Sequence, residues 1–276
     1  MSAGLRVAIV GTGAIGDYLA QAIQAGRAGA VRLVALADTA PMQARLEGAA
    51  SHHGCAWSTD VLRLPEYEPD IVIEAASPQT VRQYVLPLLD CGVDVLVMSA
   101  GALADGAFLL ELEQTLQRSQ RRLYVPSGAI GGLDVLRAAV VDGLEEVRLR
   151  TSKPPAGLRG APWLSEHPLD LDGITVPTVL FHGSVAEAVR GFPQNVNVGA
   201  ILNLVATGVP SITVEVVADP TSSRNVHEIY ARGTFGEMTL RVANMPSANN
   251  PKTSHLACLS PIALLRRLSA QLVVGS

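Results

Sequence analysis

Continuous apolar runs alternate with helix-like stretches over the first half of the chain. The runs are LRVAIV (5–10), VRLVALAD (31–38), IVIEAA (71–76) and VDVLVMSA (93–100). The segments between them carry apolar residues at helical spacing, as in YLAQAIQAG and PQTVRQYVLPLLDCG. Strands that are apolar on both faces and alternate with helices are typical of a parallel sheet covered on both sides. The pattern therefore predicts a doubly wound parallel sheet, with one further strand in RRLYVPSGA (121–129) and a helix in 131–144.

The pattern changes near residue 145, where apolar residues begin to alternate with polar ones. Strand-like segments lie in VRLRTSK, TVLFHG, SITVEVVAD, NVHEIYARGTF and EMTLRVAN, separated by Pro, Gly and Asp turns. Such alternation predicts a second α+β domain with an open, mostly antiparallel sheet. We expect a first domain in residues 1–130, a second in 131–250, and a C-terminal helix at about 251–276 that packs back on the first.

Composition excludes several classes of partner. The net charge is −4 and the basic residues are scattered, which argues against nucleic acid. No apolar run approaches the roughly 20 residues needed to cross a bilayer. The three cysteines are odd in number and far apart, which fits a reducing cytoplasm. We expect a soluble, cytoplasmic protein that binds small molecules.

A glycine-rich turn follows the first apolar run. Gly11, Gly13 and Gly16 fit G-x-G-x-x-G between a strand and a helix. The first glycine permits the tight turn, the second lets a pyrophosphate approach the backbone, and the third lets the helix pack on the strand. The helix N-terminus, with Ala14 and Ile15, offers free N–H groups to the anion. The motif predicts a dinucleotide site.

Asp38 ends the second apolar run, at the distance from the glycines where a carboxylate can accept hydrogen bonds from an adenosine ribose. A carboxylate there would repel a 2′-phosphate, so NAD is favoured and NADP remains possible. Small residues in EAASPQT (74–80), SAGALAD (99–105) and PSGAIGGLD (126–134) end later strands and favour a slot for the nicotinamide.

His227 lies in a predicted hairpin and is a candidate acid–base group, because neutral imidazole can exchange a proton near pH 7. A polar residue on an ordinary strand is the alternative that the local sequence leaves open. Lys153, Arg232 and Lys252 lie near small polar residues and are candidates for binding substrate carboxylates. There is no HExxH or CxxC spacing, so we expect no metal site.

Six motifs in the chain resemble the L-aspartate dehydrogenase family. They are GTGAIG, SAGALAD, PSGAIGGLD, FPQNVNVGA, NVHEIYARGTFG and NPKTS, in this order and spacing. The likeness extends over nearly the whole chain and is weakest in residues 41–68 and 156–175.

The resemblance implies a Rossmann domain, followed by a second domain that carries substrate residues and homodimer contacts. It implies NAD(P)-dependent conversion of L-aspartate to oxaloacetate and ammonia through iminoaspartate, which feeds NAD biosynthesis in some bacteria. The family's active-site histidine falls on His227, and its NAD contacts fall on Ala129 and Asn197. Glu228, directly after the histidine, departs from the family, and the sequence leaves its effect open.

Two alternatives remain at this point. One is a related two-domain NAD(P) oxidoreductase that acts on another small acid, similar to dihydrodipicolinate reductase or homoserine dehydrogenase. The other is a sensor that binds NAD without catalysis.

Overall fold

A computed structural model describes residues 4–193, 197–209, 212–247 and 250–274, with only the backbone described in 250–252. The chain divides into two compact units. The first contains the residues up to Pro126 together with Cys258–Val274, and the second contains Ser127–Ala257.

The first unit contains a six-stranded parallel sheet with the order β3-β2-β1-β4-β5-β6. Its strands are β1 (Leu5–Val10), β2 (Val31–Ala37), β3 (Ala56–Ser58), β4 (Ile71–Glu74), β5 (Asp94–Val97) and β6 (Leu123–Tyr124). Its helices up to Pro126 are α1 (Ala14–Gln24), α2 (Gln43–His53), α3 (Pro78–Asp90) and α4 (Gly106–Ser119). The strand order reverses beside β1, and ligands bind beyond the carboxyl ends of the strands at such a point.

The strand expected across residues 121–129 is limited to Leu123–Tyr124, where the chain pairs with β5. Pro126 follows two residues later and has no N–H to donate to a ladder, which explains the early end.

The second unit contains a five-stranded sheet with the order β11-β10-β7-β9-β8. Its strands are β7 (Leu144–Lys153), β8 (Thr178–Ser184), β9 (Ile212–Ala218), β10 (Asn225–Gly233) and β11 (Gly236–Asn244). Only the β7–β9 pairing is parallel within this sheet; the other three are antiparallel. The predicted fold class, a Rossmann sheet followed by an α+β domain with a mostly antiparallel open sheet, is confirmed.

Helices of the second unit cover one face of its sheet. They are α5 (Leu133–Asp142), α6 (Pro162–Glu166), α7 (Val185–Gly191) and α8 (Asn197–Val205). A Cβ at Gly199 in α8 would meet Leu149 and Val214, and one at Gly132, just before α5, would meet Leu240. We call this covered side, which includes Leu149, the inner face. The side that includes Arg150 is the outer face.

The C-terminal segment differs from the helix expected at 251–276. A short ladder of β12 (Pro246–Ser247) and β13 (Asn250–Ser254) comes first, and α9 (His255–Leu268) follows. Ile262 and Leu265 of α9 are buried in the core of the first unit, against residues of β1 and α1. Among the described residues, no helix is long and apolar enough to cross a membrane.

Candidate active site

The glycine turn has the local geometry that a dinucleotide requires. Gly11 has a φ of +100°, and a Cβ there would lie 2.8 Å from the carbonyl oxygen of Ala75. A Cβ at Gly16 would lie 1.9 Å from the carbonyl oxygen of Gly11, so only glycine lets α1 approach this closely. A Cβ at Gly13 would meet no described atom within 4 Å. This open space lies at the N-terminus of α1, beside Ala14 and Ile15, and fits the approach of a pyrophosphate.

Asp38, which we expect to bind the adenosine ribose, holds the glycine turn. Its Oδ2 accepts hydrogen bonds from the backbone N–H and the hydroxyl of Thr12, both at 2.7 Å, and its Oδ1 accepts one from Thr39 N–H at 2.8 Å. Partial burial would raise the pKa of Asp38, but these hydrogen bonds and the nearby charge of Arg45 outweigh it and hold the pKa below its usual value. Oδ1 retains a lone pair for a ribose hydroxyl.

Glu74 is a buried carboxylate that sequence reasoning missed. It ends β4 and accepts hydrogen bonds from the backbone N–H groups of Ala76, Met98 and Ser99 and from the Ser99 hydroxyl, at 2.8–3.2 Å. Burial raises its pKa, although the donors oppose that shift. Glu74 thus ties together the two loops, 74–80 and 99–105, that we expected near the nicotinamide. The sequence feature that could have revealed Glu74 was an acidic residue at the end of an otherwise apolar strand.

His227 is a buried residue on the inner face of the second sheet. Its side chain is 3% exposed, and its Nδ1 lies 3.1 Å from the Oγ1 of Thr151, the residue directly opposite on β7. Glu228 points to the outer face, where it pairs with Arg241 at 3.5 Å. The side chain of Glu228 is therefore on the opposite face of the sheet from the imidazole. Among the described residues, the contact of Nδ1 with Thr151 leaves Nε2 for a reacting molecule.

Lys153 shares the environment of His227. It is 3% exposed and lies two residues after Thr151 on β7, on the same face. Burial lowers the pKa of Lys153 to about 8. Burial and the positive charge of Lys153 lower the pKa of His227 to about 3, so the imidazole is neutral at pH 7 in the free protein.

Two asparagines extend this polar cluster. Asn225 and Asn244 face each other on β10 and β11 and are 2% and 5% exposed. The Nδ2 of Asn244 donates a hydrogen bond to the carbonyl oxygen of Ala129 at 3.0 Å. The structure thus connects Ala129, a predicted NAD contact, to the strands that carry His227. We call Thr151, Lys153, Asn225, His227 and Asn244 the inner-face cluster.

Arg232 does not lie in this cluster, and its binding of a substrate carboxylate stays a prediction. It lies five residues along β10, about 17 Å away at strand spacing, and an odd separation places it on the opposite face. It is exposed and pairs with Glu145 at 3.0 Å and Glu146 at 3.9 Å.

Two other predicted residues are placed only in part. The side chain of Lys252 lies outside the described residues. Asn197 lies in α8, and its contact with NAD stays a prediction.

Four of the remaining histidines lie apart from the inner-face cluster. His52 and His53 end α2, and His53 contacts the Gln24 side chain at 2.7 Å. His167 stacks on Trp163 with ring centres 3.7 Å apart, and His182 is exposed on β8. Among the residues that the structure describes, no group of His, Cys, Asp and Glu could hold a metal ion.

These features define a class of protein. A doubly wound sheet with G-x-G-x-x-G at its switch point binds a nicotinamide dinucleotide, and the second unit carries a buried neutral imidazole beside a buried lysine. The chain has the fold and the groups of a two-domain, NAD(P)-dependent oxidoreductase.

Comparison with known proteins narrows this class. Residues 134–268 match the family model of the aspartate dehydrogenase C-terminal domain, and residues 11–126 match that of the homoserine dehydrogenase NAD-binding domain. The chain is 42% identical to an L-aspartate dehydrogenase of Methanosarcina acetivorans, over 99% of this chain and 100% of the relative. It is 37% identical to one of Bradyrhizobium diazoefficiens, over 100% of this chain and 95% of the relative.

A comparison with solved structures gives the same family as the sequence comparisons. Aspartate dehydrogenase of Thermotoga maritima matches 98% of this chain and 99% of its own, with a TM-score of 0.75 and 29% identity. The chain belongs to the L-aspartate dehydrogenase family.

Proposed function

We propose that this protein catalyses the reversible, NAD(P)-dependent oxidative deamination of L-aspartate. L-Aspartate, NAD(P)⁺ and water give oxaloacetate, ammonium, NAD(P)H and a proton. The observation that carries the proposal is the buried Thr151–His227 contact at 3.1 Å beside Lys153, in a chain whose relatives with this activity align over their full length. The bound nicotinamide supplies the hydride acceptor.

His227 is proposed to move the proton in the deamination step. Its neutral Nε2 accepts a proton from the water that attacks the imine carbon of iminoaspartate. A pKa of about 3 makes the imidazole a weak base in the free protein. A bound dicarboxylate brings two negative charges, which favour the imidazolium and raise that pKa. The base therefore becomes effective when substrate is present.

Lys153 is proposed to bind one substrate carboxylate. A pKa of about 8 leaves most of the side chain protonated at pH 7, and a buried ammonium is strongly attracted to a carboxylate that enters the same low-dielectric environment. The second unit, Ser127–Ala257, would then be the substrate-binding domain.

Ala129 and Asn197 are proposed to contact NAD, together with Gly11, Gly13, Ala14, Ile15, Gly16 and Asp38. Support for the first comes from Asn244, which fixes the Ala129 carbonyl. Support for the glycine turn comes from the open space at Gly13.

We also propose a cytoplasmic homodimer that meets through the outer face. That face carries charges of both signs, including the pairs Arg150–Glu215 at 3.2 Å and Arg241–Glu228 at 3.5 Å. A mixed-charge face is complementary to itself about a twofold axis. Sedimentation should give the mass of two chains, and a monomer would contradict the proposal. Among the described residues, no disulfide joins Cys55, Cys91 or Cys258, as in a reducing compartment.

A spectrophotometric assay tests the activity. With oxaloacetate and ammonium, the protein should consume NADH at a rate that saturates with each reactant. Pyruvate should be consumed at least about tenfold more slowly, because a site that pairs two carboxylates rejects an analogue that leaves one group unpaired. 2-Oxoglutarate has both carboxylates but one more methylene, so it should also be consumed more slowly because its second carboxylate is displaced. Turnover of another acid without turnover of oxaloacetate would contradict the assignment, and NADH binding without any turnover would indicate a sensor.

A further inference from the structure

We propose that the side-chain amide of Asn225 binds a substrate carboxylate, next to Lys153. The proposal rests on the proposed function, because it assigns a further contact for the dicarboxylate in that reaction. Asn225 would be a binding residue that orients the substrate toward His227 rather than a residue that moves a proton.

The first observation is a buried donor without a partner. Asn225 is 2% exposed. Among the residues that the structure describes, no acceptor lies within hydrogen-bond distance of its Nδ2 atom. A buried N–H that makes no hydrogen bond destabilises the protein, so such groups are rare and point to a ligand that the free protein lacks.

The second observation is the position of this donor in the sheet. Asn225 precedes His227 by two residues on β10, so both side chains are on the inner face about 7 Å apart along the strand. Val226 pairs with Ser152, which brings Asn225 level with Lys153 at the end of β7. The unpartnered amide therefore lies at the end of the cluster that contains the buried ammonium.

The comparison with Asn244 supports a ligand rather than a scaffold role. Asn244 is the same residue type, is buried, and lies directly opposite Asn225. Its Nδ2 is used within the protein, in the hydrogen bond to Ala129. One of the two facing amides thus supports the fold, and the other keeps a donor that the fold does not use.

The chemistry favours a carboxylate as the missing acceptor. An amide N–H next to an ammonium donates to an anion with greater strength than to a neutral group. The substrate has two carboxylates, and one ammonium can neutralise only one negative charge. A neutral donor beside Lys153 adds a directional contact without further charge, which fixes the carboxylate and leaves the reacting carbon toward His227.

Two substitutions of Asn225 test the proposal. Asn225→Asp keeps the shape and replaces the donor with a group that repels a carboxylate, and Asn225→Val removes the polar group. Each should raise the KM for oxaloacetate by about 10- to 100-fold, the effect of losing a hydrogen bond to a charged group. The KM for NADH should stay within about twofold. For Asn225→Asp, the KM for oxaloacetate should decrease as the pH is lowered, because a protonated carboxyl can donate.

Stability separates binding from scaffolding. Asn225→Val should leave Tm unchanged or raise it, since it removes a donor that is unsatisfied in the free protein. The matched control is Thr115→Val in the first unit, where a fully buried hydroxyl donates to Glu111 O at 2.8 Å. That control should lower Tm and leave both KM values unchanged. An unchanged KM for oxaloacetate in both Asn225 variants, with or without a lower Tm, would overturn the proposal.

A binding measurement distinguishes failure of this proposal from failure of the proposed function. Succinate has the two carboxylates of the substrate and should raise Tm of the wild-type protein with bound NADH, but raise Tm of Asn225→Asp much less. If the wild type consumes no oxaloacetate but shows this succinate difference, the function is wrong and the carboxylate site stands. If the wild type is active and succinate stabilises both proteins equally, the function stands and the Asn225 proposal is wrong.

Discussion

The glycine turn and the inner-face cluster are built in opposite ways. Gly11–Gly16 are consecutive residues, and their role follows from backbone geometry and open space. Thr151 and His227 are 76 residues apart and meet only through the register of β7 and β10. In the turn, side chains are excluded so that a ligand can approach the backbone. In the cluster, polar side chains are buried, and burial lowers the pKa of Lys153 and of His227. Substitutions in the turn should therefore affect stability and NADH binding, whereas substitutions in the cluster should affect substrate binding and turnover.

The largest effect is expected in the turn itself. Gly16→Ala would place a Cβ 1.9 Å from the Gly11 carbonyl oxygen, so α1 must move away from β1. We expect a loss of about 3 kcal/mol in the free energy of unfolding and no measurable NADH binding. Denaturant unfolding and NADH fluorescence check this.

Gly13→Ala is the matched control, because its Cβ meets no described atom within 4 Å. Stability should hold within about 0.5 kcal/mol, while NADH affinity falls by about tenfold or more. Equal loss of stability in both variants would contradict the roles given to these glycines.

Lys153 should give the next largest effect, and it concerns the substrate rather than the nucleotide. Lys153→Met should raise the KM for oxaloacetate by about 100-fold, as expected for loss of a charged partner, with NADH affinity nearly unchanged. In the wild type, kcat/KM for oxaloacetate should fall as the pH rises through about 8, where Lys153 loses its proton. Lys153→Arg should move this decline to higher pH. A pH profile that Lys153→Arg leaves in place would contradict the assignment.

Lys153 should also affect how the free energy of unfolding depends on pH. Its pKa is about 8 in the folded protein and near 10.5 in an unfolded chain, so burial of the charge destabilises the fold below pH 8. This penalty, on the order of 3 kcal/mol, is relieved as the pH rises from 8 to 10.5. The free energy of unfolding of the wild type should therefore include a rise between pH 8 and pH 10.5 that comes from Lys153. Lys153→Met should not show this rise. Urea unfolding at several pH values measures the difference.

Asp38 should give a moderate effect that is specific for the nucleotide. Asp38→Ala removes a ribose acceptor and the hydrogen bonds that hold Thr12. The KM should rise about tenfold for NAD and less for NADP, since the same change also removes repulsion of the 2′-phosphate. Equal changes for the two nucleotides would mean that Asp38 acts only on the turn.

Thr151 should give the smallest effect. Thr151→Val keeps the shape and removes the contact with Nδ1 of His227. We expect kcat to fall by about 3- to 10-fold, as for loss of a neutral hydrogen bond, with both KM values within about twofold. A larger effect on KM than on kcat would show that Thr151 binds substrate instead of orienting the imidazole.

The contrast between local and non-local construction also explains what the sequence could predict. The turn, α1 and five of the parallel strands follow from contiguous patterns, whereas the short edge strand β3 (Ala56–Ser58) was not predicted. Thr151 and Asn225 were missed because the pairing of β7 with β10 cannot be inferred from the sequence of either strand alone. The position of Arg232 on the opposite face from His227 could have been found by counting, since the two residues are an odd number apart on one strand. The start of α9 at His255 was missed because β13 comes before it.

His227 is proposed to move a proton and not to hold the nucleotide. The measurement is the kcat of His227→Ala in oxaloacetate amination, together with the dissociation constant of NADH by fluorescence. The exposed His182→Ala on β8 is the control and should match the wild type in both. For His227→Ala we predict a fall in kcat of about 100-fold or more, with the dissociation constant unchanged within a few-fold. An unchanged kcat, or a loss of NADH binding equal to the loss of activity, would contradict the claim.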